Sequence, residues 1–143
     1  MRSYVKGVTV DGVTSKDLDD AFWLDIVEEK IILTVSISDV SSAITPGSKL
    51  DLKARKAAFT RYGAFRNIPM IPPELSEDTL SLLPNVDRQV LTFKITLDQN
   101  SLDVSDLEIS RNTLKSEMRL SHDRVNNLIS NKTAKDHQIG VGA

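Results

Sequence analysis

The sequence predicts a mixed α+β domain, built on a mainly antiparallel sheet with a few packed helices. Three observations carry this prediction. Short runs rich in β-branched and aromatic residues recur, among them SYVKGVTV, AFWLDIVEE, IILTVSIS and RQVLTFKITLD, and turn-forming residues separate them. Stretches with helical spacing follow Ser48 and Ser121. No repeat, low-complexity tract or linker divides the 143 residues, of which 40% are hydrophobic and 27% charged, so one core is expected.

Residues 2–10 interleave Tyr4, Gly7 and Thr9 with Val5, Val8 and Val10. They predict a strand that delivers Asp11 at its end. Residues 21–28 and 31–38 predict two more strands, joined as a hairpin by the reversal EEK. Asp39 then precedes VSSAI, either as a helix N-cap or as a support beside the preceding aspartates.

The segment TPGSKLDLKARKAAFTRY reads as a turn and a helix, capped by Ser48, with Leu50, Ala54, Ala57 and Ala58 along its apolar stripe. Lys49, Lys53, Arg55, Lys56 and Arg61 face a single acid, Asp51, and Arg66 follows. Such a face is either solvated or tracks a phosphate backbone. Gly63, Pro69, Pro72 and Pro73 make residues 62–74 a long loop, with Tyr62 at its entrance.

A short helix is predicted from Ser76 to Leu82, with Glu77 and Asp78 at its positive end. Arg88 to Asp98 and Leu102 to Ser110 flank the turn DQNS as a second hairpin. Leu120 to Ile129 predicts a last helix, capped by Ser121 and burying Val125, Leu128 and Ile129. The polar stretch 131–143 is expected to be a flexible tail. His122 and His137 have no partner at metal-ligand spacing and are expected on the surface.

Composition narrows the function classes. A net charge of −2 gives no global attraction to nucleic acid, so any such affinity must come from a local surface. The absence of cysteine excludes disulfides, thiolate metal sites and a cysteine nucleophile. No apolar run approaches 18 residues and the N-terminus has no signal-peptide pattern, so a soluble cytoplasmic chain with no membrane contact is expected.

The stretch DGVTSKDLDD holds Asp11, Asp17, Asp19 and Asp20 against Lys16 alone. Two carboxylates about 4 Å apart in a partly dry site repel by roughly 4 kcal/mol. The loop therefore needs a cation, a shared proton or wide spacing in water. Magnesium suits it, since that ion takes oxygen ligands and leaves positions for water and substrate phosphate. An ordinary Asp-rich turn is the other reading. An EF-hand is excluded, because counting from Asp17 places no Gly at the sixth position.

The run TVDGVTSKDLDDAFWL resembles the opening of the catalytic RNB domain of the ribonuclease II and ribonuclease R family. The likeness continues in register from VSISDV to ITLD, and IPMIPPELSEDTLSLLP is its most specific piece. It makes residues 1–130 the N-terminal portion of an RNB-type catalytic domain. The resemblance implies a 3′-to-5′ exoribonuclease that releases nucleoside 5′-monophosphates from single-stranded RNA, rather than DNA, with water as nucleophile. It implies Mg2+, with Mn2+ as a substitute, on Asp11, Asp17, Asp19 and Asp20. It also implies that Tyr62 stacks on a base near the RNA 3′ end, with Arg55, Arg61 and Arg66 as candidate contacts to the RNA.

The sequence departs from the family in two respects. A family catalytic domain is more than twice this length, and its second half carries a His-Thr-Ser-Pro-Ile-Arg-Arg-Tyr-type motif with phosphate-binding arginines that has no counterpart here. Ser36 stands where many members have His. An incomplete RNB-like domain is expected: an exoribonuclease or the portion of one that carries its metal loop, an RNA- or partner-binding remnant, or one half of a split enzyme that needs a protein partner bearing the C-terminal half.

Overall fold

The computed structural model describes residues 2–131 and 141–142. Most of the tail predicted over 131–143, with His137, lies outside the described residues. The elements run β1 (Tyr4–Asp11), β2 (Asp20–Val27), β3 (Lys30–Ser38), α1 (Lys49–Ala57), β4 (Asp87–Asp98), β5 (Val104–Ser121) and α2 (His122–Asn131), and the two-residue β6 (Val141–Gly142) adds to β2.

The five long strands close into a barrel in the order β1-β5-β4-β3-β2, with β1 also pairing β2. Four of the five contacts around the barrel are antiparallel, and β1 with β5 is parallel. The mixed, mainly antiparallel sheet matches the sequence reading. Its closure into a barrel was not anticipated, because it rests on a parallel pairing of residues more than a hundred positions apart. Gly7 permits that closure. A Cβ at this position would lie 2.9 Å from Leu114 Cδ1 and 3.1 Å from Ala21 Cβ, where three strands meet.

The core sits at the end of the barrel nearest the aspartate loop. Leu18, Ala21, Leu82, Val90 and Leu114 form one buried cluster, against which Val5 and Leu83 pack. At the other end, polar and charged side chains from Lys6, Trp23, Lys94 and Glu108 line an open mouth of about 390 Å³. The outer face of β2 to β5 is apolar in register, with Phe22, Val35, Phe93 and Ile109 in one row and Leu24, Leu33, Ile95 and Leu107 in the next. Much of this face is exposed.

Several elements differ from expectation. Strand β5 continues past Ser110 to Ser121, so Leu120 is a buried strand residue and the helix begins at His122. Asn112, Thr113 and Ser116 are buried in this extension, which hides the apolar alternation by which a strand is recognised. Ser121 does cap α2, its hydroxyl accepting from the Arg124 N–H. Val125 and Leu128 are half-buried, but Ile129 is exposed.

The helix expected from Ser76 to Leu82 is a single wide π-type turn, Leu75–Thr79. Ser81 and Leu82 leave it for the core, where both are fully buried. Asp39 precedes a 3-10 turn, Val40–Ser42, without capping it. Instead its carboxylate accepts from the Ser41 hydroxyl and pairs with Arg2 and Arg111. Helix α1 begins as expected, with the Ser48 hydroxyl accepting from the Asp51 N–H. Among the described residues no helix is long and apolar enough to cross a membrane.

Candidate functional site

Asp11 is the last residue of β1 and Asp20 the first of β2. The two strands are antiparallel, with Val8 opposite Phe22, so both aspartates reach the same end of the barrel. The connecting loop turns at Gly12, whose carbonyl accepts from the Ser15 N–H and from Arg119. Leu18 then plunges into the core with no exposed surface, while Asp17 and Asp19 on either side stay in solvent. Backbone bonds hold this geometry, since Leu82 N–H donates to Leu18 O at 2.8 Å and Ser38 N–H to Asp19 O at 2.9 Å. An apolar anchor thus sets the direction of the acids beside it.

No ion pair among the described residues meets the charge on the loop, although Arg119 acts on Asp11 from nearby. Among the described residues none of the four aspartates forms an ion pair, and Lys16 turns to Glu77 at 3.6 Å. Burial pushes the Asp11 carboxyl above its ordinary range; the nearby Thr9 hydroxyl is the strongest opposing influence, the Asp20 carboxylate adds to the rise, and Arg119 and His122 pull against it. Packing around Asp19 also raises its carboxyl, helped by the carboxylates of Asp17, Asp20 and Asp11 in that order. Asp19 is thus within electrostatic reach of the other three acids. Asp11 Oδ2 is buried with no hydrogen-bond partner, as is the hydroxyl of Thr9 on the same strand.

This donor set fits a hard cation. An unpartnered buried carboxylate oxygen is costly unless something positive meets it. Among the described residues no three carboxylate, imidazole or thiolate groups gather closely enough to hold an ion by themselves, so the four acids stand more widely spaced than a closed metal cage requires.

Asp17 and Asp19 line a cleft of about 620 Å³ whose far wall is built by the long loop, through Thr60, Tyr62, Asn67, Pro69 and Met70. The loop is ordered by its own backbone. Arg61 and Ile68 exchange N–H to O bonds of 2.9 and 2.8 Å, and the Met70 N–H donates to Thr60 Oγ1. Gly63 is needed in this bend, since a Cβ there would lie 2.7 Å from Arg66 O. Tyr62 shows 75% of its surface to solvent. Its ring is unburied and shares the cleft with the acids.

The three arginines lie elsewhere. Arg55 is bound to Asp51 one helical turn away, Arg61 stands near the Phe59 ring, and Arg66 is exposed in the loop. None of them lines the aspartate cleft.

A proton balance follows from these carboxyls. Without metal, Asp11 and Asp19 bind protons more readily in the folded chain than in the unfolded one. Folding stability is therefore expected to rise as pH falls from neutral through their raised pKa values toward the ordinary 3.8. Asp39 has the opposite sign. The Ser41 hydroxyl, and then Arg2 and Arg111, hold its carboxyl low, so its contribution is present above 3.8 and is lost as pH falls through the lowered value. Urea midpoints measured in chelator across this range should pass through a maximum on the acid side of neutrality. A midpoint that declines steadily from pH 7 downward would contradict the assignment.

The chain's sequence matches the RNB domain model over residues 3–139. The chain belongs to the RNB-domain family. This RNB chain is 40% identical over 121 residues to Exoribonuclease 2 of Enterobacter sp. (strain 638), a match covering 84% of the chain and 19% of that protein. It superposes on Mycoplasma genitalium RNase R, solved in complex with double-stranded RNA, with a TM-score of 0.85 and 31% identity, covering 92% of the chain and 24% of that one. Yeast Ssd1, described as a pseudonuclease, shares the fold with a TM-score of 0.80 at 19% identity. The RNB chain spans about a fifth of the length of the curated relatives it matches.

Sequence reasoning did not identify the residues that hold the loop. Leu18 carried a signal, as one apolar residue between acids in a polar stretch. Ser81 and Arg119 carried none, because they come from segments about 65 and 107 positions away.

Proposed function

We propose that this chain carries the metal-holding part of a 3′-to-5′ exoribonuclease site, which hydrolyses single-stranded RNA to nucleoside 5′-monophosphates. The observation that supports this most is that Asp17 and Asp19 line a cleft walled by Tyr62, with Asp11 and Asp20 at the two ends of the same loop, in a chain of the RNB family. Asp11, Asp17, Asp19 and Asp20 would hold Mg2+, or Mn2+ in its place, directly or through water. Such an ion, when bound, polarises a phosphate, lowers the pKa of a water and stabilises a leaving oxygen.

The chain's own residues do the positioning. Leu18 fixes Asp17 and Asp19 toward the cleft, and Asp11 brings in a buried carboxylate oxygen beside the Thr9 hydroxyl. Tyr62 offers a ring on which a base stacks, a contact that contributes about 1 to 3 kcal/mol and is indifferent to base identity. Arg61 and Arg66, on the loop outside the cleft, would meet the backbone of the approaching strand. Arg55 is held by Asp51 and would have to leave that pair to take part.

Tyr62→Ala is expected to change the length of the last undegraded RNA remnant while leaving the magnesium requirement as it was. Gel analysis of end products at saturating metal measures this. An unchanged remnant would remove Tyr62 from the binding role.

A second reading concerns completeness. The apolar rows on the outer face of β2 to β5 include Phe22, Leu107 and Ile109, all exposed. A contiguous face of this kind is a contact surface rather than a solvent surface, which supports a chain that works with further polypeptide, either continuous with it or separate. The test of both readings is incubation with 5′-labelled single-stranded RNA, with magnesium and with chelator. A stepwise ladder that needs magnesium supports a sufficient site, and metal binding without a ladder supports the reading in which further polypeptide supplies the missing arginines.

A further inference from the structure

We propose that Ser81 is a positioning residue for the aspartate loop, and that its hydroxyl sets the affinity of that loop for a divalent cation. The inference rests on the reading of the loop as a metal site. Ser81 is fully buried and stands on a different segment from the acids. Its hydroxyl donates to Lys16 O at 2.7 Å and accepts from the Leu18 N–H at 3.1 Å. A single side chain thus satisfies the two backbone groups that flank Asp17, using both its donor and an acceptor lone pair. In a loop without regular pairing it takes the place of a strand partner.

The restraint matters because the acids repel. Four carboxylates without a counter-ion drive the loop toward wider spacing, and a hydroxyl fixed in the core opposes that motion. Ser81 is itself fixed. Arg88 Nε donates to Ser81 O at 2.8 Å and Arg88 Nη2 to Asp78 O at 3.1 Å, which locks the turn that presents the hydroxyl. The Ser38 hydroxyl donates to Leu80 O at 2.7 Å in the same turn, and Ser38 meets the aspartate loop through its main-chain N–H on Asp19 O, a bond that Ser38→Ala keeps. Ser38 is therefore a matched control, buried beside Ser81 and bonded to its neighbour.

The test compares Ser81→Ala with Ser38→Ala in the full chain by two readouts, Mn2+ affinity from the free-ion paramagnetic signal and hydrogen exchange at the amides of residues 13–19. Ser81→Ala should bind Mn2+ about 10-fold more weakly, the scale on which supporting partners of metal ligands act, and should lose protection at Leu18. Ser38→Ala should keep the wild-type affinity. If Ser81→Ala does not fold, Ser81→Cys keeps the branching of the side chain, slightly enlarged, with a weaker donor and acceptor, and the same order of affinities is expected. Equal affinity in wild type and the Ser81 variant would overturn the proposal alone, as would an equal loss in Ser38→Ala. A wild-type chain that takes up no Mn2+ would overturn both the proposal and the metal reading beneath it.

Discussion

On the reading of the loop as a hydrolytic site, Asp20→Asn is expected to lower whatever RNA hydrolysis the chain performs by at least about 100-fold, the cost of losing one preorganised electrostatic group, while leaving the fold intact. Two features set this expectation. Asp20 begins β2, where pairing to β3 fixes its backbone opposite Ile37, so its carboxylate is directed rather than mobile. It is also exposed and makes no ion pair among the described residues. Asn keeps its shape and removes only the charge, so stability should change by no more than about 0.5 kcal/mol. Single-turnover cleavage at saturating magnesium, with denaturant unfolding of the same variant, separates the two effects. Wild-type cleavage by Asp20→Asn would remove the loop from catalysis.

Leu18→Ala is expected to produce the largest loss of stability, about 2 to 5 kcal/mol. Leu18 is completely buried in the cluster with Ala21, Leu82, Val90 and Leu114. Truncating it leaves a cavity that the closed barrel has little freedom to collapse. Its neighbours in sequence give the variant a second effect, because Asp17 and Asp19 are aimed by the descent of Leu18 into the core. Urea unfolding should show the stability loss, and cation binding should weaken even where the variant remains folded. A loss below about 1 kcal/mol would mean that the loop is not anchored through the core.

Much of the sheet was legible because its outer residues alternate cleanly. Strands β2, β3 and β4 fell within a residue or so of their predicted limits, since Phe22, Leu24, Leu33, Val35, Phe93 and Ile95 repeat with a period of two. The second half of β5 was not legible, because the residues it buries, Asn112, Thr113 and Ser116, are polar and find partners only once the barrel has closed. The short helix at Ser76 failed for a related reason. Its last residues satisfy the aspartate loop through Ser81 and Leu82 instead of extending a helix.

The aspartates and Tyr62 could be named from local pattern and family resemblance. Their common cleft could not, because it depends on how residues 60–77 fold back across the loop. Nor could the dispersal of the arginines be read from the sequence. Arg55 pairs with Asp51 one helical turn away, and helical spacing says nothing about which way the basic face points.

The most direct test of the metal-holding reading is a Mn2+ titration of the isotopically labelled chain, followed by paramagnetic broadening of its amide resonances. Broadening should begin at residues 11–20 and extend across the cleft to Tyr62 and Met70, and Asp20→Asn should weaken it. Broadening centred on another acidic stretch, such as Asp106 and Glu108, or none at metal excess, would contradict the account.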